Sequence, residues 1–170
     1  IRSCKRGVGG PTKALPLPLL RLGELQDDDA PFVPGGPTGS AAAIIVGSWF
    51  LTREVELSTT RACLVSLDAS PSGGPVVRWS LPASKSDVEA RGSARSHGCC
   101  CNGDPSISCP YHAMDRQIRR LKRLFPSRWS NGVADLDLPL FPTVDGGVVT
   151  KDRMTATIVE AARILEVPLE

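Results

Sequence analysis

Long apolar runs are missing from this chain. The most continuous one, residues 41–51, is shorter than the about 18 residues a bilayer-crossing helix needs, and it gives way to Arg53 and Glu54. No membrane segment is expected, and the chain reads as soluble. An initiating Met and an apolar stretch after Ile1, Arg2, Ser3, Cys4, Lys5 and Arg6 are also lacking, so no secretory signal is visible; the sequence reads as a fragment of intracellular origin. Aromatic residues make up only 5% of the chain, and Tyr111 is the sole tyrosine. Any chemistry that needs a phenol has one candidate. Excess charge is lacking too, since a net charge of +2 and a pI near 8.3 are too mild to announce a polyanionic partner. Any basic surface must therefore be local.

What is abundant is Gly (16) and Pro (15), concentrated in the first 40 of 170 residues, where they interrupt every periodic pattern except the Leu-rich piece at 17–25. Residues 1–39 are expected to form a linker with one short helix, and Asp27, Asp28 and Asp29 a solvated turn. Residues 40–170 then suit one domain with a real core. Ser40 is placed to cap a helix running through Ala41, Ile44, Ile45 and Val46 to Leu51. With apolar side chains on nearly every face, that helix is expected to be buried. Arg53 leaves its end, and Glu56, one turn on, is its local partner.

Residues 62–67 and 76–81 alternate apolar and polar side chains across a loop of turn formers, which predicts an antiparallel hairpin. Pro82 ends the second strand, Lys85 follows in an exposed turn, and a short third strand is expected at 91–96. Next, residues 97–112 hold Cys99, Cys100, Cys101, Cys109 and two histidines. Thiolates and imidazole at such spacing suit tetrahedral zinc in a structural role, with Cys99, Cys101, Cys109 and His112 as ligands and Cys100 or His97 as substitutes. The alternatives are unliganded thiols, or a disulfide from Cys109 to one of the three.

Met114, Ile118, Leu121 and Phe125 form one stripe of a helix over 113–125, whose other faces carry Arg116, Arg119, Arg120, Lys122 and Arg123 with no acid after Asp115. That face suits contacts to phosphates, with a plainly solvated surface as the alternative. Asn131-Gly132 marks a turn. Leu140-Phe141-Pro142 leads through Asp145-Gly146-Gly147 to a helix capped by Thr150, with Met154, Ile158, Ala161 and Leu165 as its apolar stripe.

These phrases, in this order, resemble the catalytic domain of the tyrosine recombinases, the phage-integrase family that also serves mobile elements. Arg53, Glu54, Val55, Glu56 and Leu57 match its first box, Arg-x-x-Glu-Leu, after an apolar helix; Ser84-Lys85-Ser86 matches its catalytic lysine context; and residues 140–165 are similar to the stretch before its second box. The resemblance implies an α+β fold, mostly helical, with a small antiparallel sheet. It implies DNA as partner, a homo-oligomer on DNA, a nuclear location in a eukaryote, and cleavage and rejoining of strands in recombination or integration. Arg53 would neutralise the phosphate, Glu56 support it, and Lys85 protonate the leaving oxygen.

The family's His-x-x-Arg box, later His or Trp, and nucleophilic tyrosine have no counterpart here, so this chain alone is expected to be inactive. Tyr111, inside Cys-Pro-Tyr-His, is expected to pack beside the cysteines instead. The rival reading is a non-catalytic zinc-stabilised module for nucleic acid or protein, with Arg53 and Glu56 as a plain ion pair.

Overall fold

The computed structural model describes residues 16–71, 73–81 and 92–168. Its centre is α1 (Ser40–Phe50), in which every residue from Ser40 to Gly47 is buried. No side chain in this helix is charged, so it has no face to offer water and is enclosed by others. Helix α3 (Pro110–Leu124), helix α4 (Lys151–Ile164) and a 3-10 helix at Leu19–Glu24 pack around it. The short α2 (Glu54–Thr59) lies on α4.

Chain entry into α1 differs from the expectation that Ser40 is the cap. Gly39 holds that position with φ 72°, and a Cβ there would meet Gln117 Oε1 at 2.1 Å. Only glycine fits a left-handed residue pressed this close to a neighbour. Ser40 instead ties the approach: its Oγ donates to the Pro37 carbonyl (2.8 Å) and accepts from the Phe32 N–H (3.1 Å). At the other end Leu51 turns left-handed (φ 52°), and α2 crosses α1 at Gly47, where an added Cβ would meet Leu57 at 2.9 Å.

A three-stranded antiparallel sheet follows in the order β1 (Val65–Ala69), β2 (Pro75–Leu81), β3 (Ser93–Gly98). The first strand starts later than its apolar pattern implies. Residues Ala62–Leu64 form a 3-10 turn because the Ala62 N–H is taken by the Leu138 carbonyl (2.9 Å). The third strand lies two residues beyond the expected span. Val77 and Trp79, both fully buried, give the sheet its inner face, and Trp79 meets Phe50 of α1 edge-on with ring centroids 5.2 Å apart. Strands β4 (Trp129–Ser130) and β5 (Val133–Ala134) form a small hairpin around Asn131-Gly132, both at positive φ as that two-residue turn requires.

Helix α3 begins three residues earlier than its expected span, at Pro110, where a missing N–H costs nothing. Thr150 caps α4 as expected, accepting from the Arg153 N–H (3.3 Å). The fold is α+β with helices predominating, as the sequence implied.

The described part of the expected linker is built into this body. Leu22 and Leu25 are fully buried in the core, and the Thr38 N–H reaches the Pro142 carbonyl (2.8 Å). The Leu140-Phe141-Pro142 phrase is equally internal: Leu138, Leu140 and Phe141 are fully buried, and the Leu140 N–H donates to the Thr60 carbonyl (2.9 Å).

Candidate metal centre and phosphate-facing surface

Strand β3 delivers the first cysteines. The Cys99 N–H donates to the Pro75 carbonyl (2.8 Å), extending the β2–β3 pairing by one residue, and the chain then folds back on itself. In that fold-back the Cys101 N–H points at Cys99 Sγ (3.4 Å), and the Ser106 N–H at Cys101 Sγ (3.1 Å). Amide donors aimed at sulfur are what bound thiolates require to spread their charge. Cys109, fully buried, is the N-cap of α3, and His112 lies in the first turn of the same helix.

The ligand atoms of Cys99, Cys101, Cys109 and His112 all lie within 4.8 Å of one another. Cys99 and Cys109 Sγ are 3.8 Å apart, and His112 Nδ1 is 3.8 Å from Cys99 Sγ and 3.4 Å from Cys101 Sγ. A tetrahedral ion bonded at about 2.3 Å to sulfur and 2.0–2.1 Å to nitrogen spaces its sulfurs about 3.8 Å apart, and sulfur from nitrogen about 3.6 Å apart. These three edges match that cage. They do not match a disulfide, whose sulfurs lie about 2.05 Å apart, and these cysteines are unbridged.

Burial pushes the Cys109 thiol up, but N–H donors from the His112 and Cys100 backbone outweigh it, and the thiol is lowered to about 6. The lowered value favours the thiolate, the form that binds metal. The four residues assigned from sequence are the four brought together; Cys100 is exposed and outside the group. His97, the other substitute, packs edge-on against Phe50 (4.7 Å) and Trp49 (5.7 Å). The Trp49 indole N–H in turn donates to the Ser108 carbonyl (2.7 Å), fastening the cysteine loop to the end of α1. Tyr111 stacks edge-on with His112 (5.3 Å) and is partly buried beside the cluster, where the sequence placed it.

Arg53 is the N-cap of α2. Its backbone N–H donates to Glu56 Oε2 (2.9 Å), while Nε (3.1 Å) and Nη2 (2.6 Å) donate to Oε1. Glu56 thus braces both the helix start and the guanidinium, which stays 53% exposed. Burial raises the Glu56 pKa, but the Arg53 N–H and guanidinium, with the Arg95 charge, bring it below its ordinary value. The carboxylate therefore stays ionised as a brace. Lys85 lies outside the described residues. In the chain it falls between β2 and β3, which are neighbours in the sheet.

The arginines expected to meet DNA are mostly engaged elsewhere, which corrects the picture of an open basic face on α3. Arg120 is 6% exposed: Nη2 pairs with Asp27 (2.8 Å), Nε with Asp29 (2.9 Å), and Nη1 donates to Gln117 Oε1 (2.7 Å). Arg116 pairs with Asp27 (2.6 Å) and Arg123 with Asp29 (2.7 Å), while Arg119 pairs with Asp115 at the surface (3.0 Å). Asp27, expected in a solvated turn, is 6% exposed at the centre of this network. The acids that neutralise α3 come from about 90 residues earlier in the chain, so no local count of charge along the helix reveals them. Two further groups carried no sequence signal, the Trp49 indole and Arg95 on β3, which donates through Nη1 to the Phe50 carbonyl. Comparison with protein-family models, with curated proteins and with solved structures finds no match to this chain.

Proposed function

We propose that this chain is a zinc-stabilised, DNA-binding portion of a tyrosine-recombinase-like strand-transfer domain. The observation that carries the reading is Arg53. It is an exposed guanidinium held rigid by Glu56 at the turn after a buried apolar helix, followed by a three-stranded antiparallel sheet with Lys85 between its second and third strands. That order is what the resemblance implies. In this role Arg53 binds a non-bridging phosphate oxygen of the DNA backbone, and Lys85 lies on the segment that would carry a proton to a departing 5′ oxygen. The covalent step needs a tyrosine, and Tyr111 is packed against His112 beside the cysteines. The chain by itself therefore holds phosphate without attacking it.

Three thiolates and one imidazole on tetrahedral edges favour zinc among common cellular ions, since soft sulfur donors disfavour magnesium and calcium. Four protein ligands leave no open position for a reacting group, so the ion's part is to hold the loop together.

The test is binding to a labelled DNA duplex across a salt series. Native protein is expected to bind, and Arg53→Ala to reduce the slope of log K against log salt by about 0.9 while leaving the melting temperature close to native. A nicked suicide duplex is expected to yield no covalent adduct. Undiminished salt dependence in Arg53→Ala, or an adduct, contradicts the proposal. The metal cluster also supports a rival, a non-catalytic metal-stabilised binding module. In that case Arg119→Ala, on the exposed rim of α3, weakens binding while Arg53→Ala does not.

A further inference from the structure

We propose that Arg95 is a second phosphate-binding cation beside Arg53, so that the surface where α1 ends is a two-guanidinium site for a backbone phosphodiester. This deepens the DNA-binding reading above and rests on it. Arg95 is on β3, an outer strand of the sheet, directly across from Trp79. Cross-strand partners share a face, so Arg95 rises on the same side as the buried indole, yet it is itself exposed. It reaches the end of α1 and donates through Nη1 to the carbonyl of Phe50, the last residue of that helix. A cation belongs there, because terminal carbonyls lack intrahelical donors and carry the negative end of the helix dipole.

That bond uses one of five N–H donors. Arg95 Nε and Nη2 donate to no group among the described residues, and neither does Nη1 of Arg53, three residues past Phe50. Both guanidinium charges act on the one Glu56 carboxylate. Glu54, the other acid at the start of α2, faces Lys151 instead (3.5 Å). Among the described residues, two cations sharing one anion leave a single positive charge uncompensated on an exposed surface, and a phosphodiester carries a single negative charge. Its two non-bridging oxygens suit donors from two guanidinium groups.

The experiment is anisotropy of a fluorescein-labelled duplex over a salt series with native protein, Arg53→Ala, Arg95→Gln and Arg95→Lys. Glutamine keeps an N–H donor for the Phe50 carbonyl and removes the charge; lysine keeps the charge. Arg95→Gln is expected to lower the salt slope by about 0.9, Arg95→Lys to restore it, and both to melt near the native temperature. An unchanged slope in Arg95→Gln with a reduced slope in Arg53→Ala overturns this inference and leaves the DNA-binding reading standing. A reduced slope in Arg95→Gln with a native slope in Arg53→Ala overturns the two-guanidinium site together with the Arg53 reading it rests on. A lowered melting temperature in Arg95→Gln with native slope assigns Arg95 to helix capping only, and overturns the inference. A native protein that binds no duplex ends both.

Discussion

A guanidinium sealed among carboxylates behaves differently from one at the surface, and α3 carries both kinds. Arg120 is nearly inaccessible and satisfied by Asp27, Asp29 and Gln117. Arg120→Ala leaves the buried Asp27 carboxylate with Arg116 as its remaining cation and is expected to cost about 3 kcal/mol, the low end for a broken buried pair, in urea unfolding. Arg119→Ala breaks an exposed i,i+4 pair, and its unfolding curve is expected to overlay the native one. The same network sets the response to acid. The Arg123 hydrogen bond, assisted by Arg120 and opposed by burial, holds Asp29 below the usual carboxylate range. A carboxylate with a lower pKa in the folded state stabilises the fold above its unfolded value, and that contribution disappears as pH falls. Stability should therefore decline below about pH 4, and Asp29→Asn should flatten that acid limb while lowering stability at neutral pH, as read by thermal melts across pH.

At the scale of elements, two junctions decide whether the fold closes. One is Gly39, where α1 starts against Gln117 and Arg120 of α3. Gly39→Ala forces a left-handed alanine, costing at least about 1–2 kcal/mol before the clash is counted, and is expected to shift the urea midpoint down. The other is the cysteine loop between β3 and α3. Its residues from Asn102 to Ile107 are exposed and none belongs to the buried core, so besides the Trp49 and Arg116 bonds to its far end, an ion held by the sulfur and imidazole cage would fix the shape of the loop. Phenanthroline treatment, or Cys109→Ser, is expected to release one metal ion per chain and lower the melting temperature. Cys100→Ser should retain both the ion and the native melt; loss of metal in Cys100→Ser would place the ligand set wrongly.

For the whole molecule, what was legible in the sequence follows the reach of each interaction. The buried helix, the hairpin, the Thr150 cap and the Met154-to-Leu165 stripe rest on neighbours within a turn or two, and the sequence alone pointed to them. The grouping of Cys99, Cys101, Cys109 and His112 was legible because all four lie within fourteen residues. The Arg120 network and the Arg95 contact were not, since their partners lie 91 to 93 and 45 residues away. A basic helix viewed alone looks like an open surface; only the folded chain reveals the aspartates laid across it. Local spacing also misjudged where strands begin, because the Leu138 carbonyl competes for the Ala62 N–H.

Trp49 gives these arrangements an optical outlet. Of three indoles in the chain, Trp79 is sealed in the interior and Trp129 lies beneath the Lys122 ammonium, while Trp49 alone is anchored to the loop that carries the cysteine cluster. When that loop opens, its indole exchanges the Ser108 carbonyl for water and its emission moves to longer wavelength. Trp49 emission is thus an intrinsic, label-free gauge of whether that loop is closed.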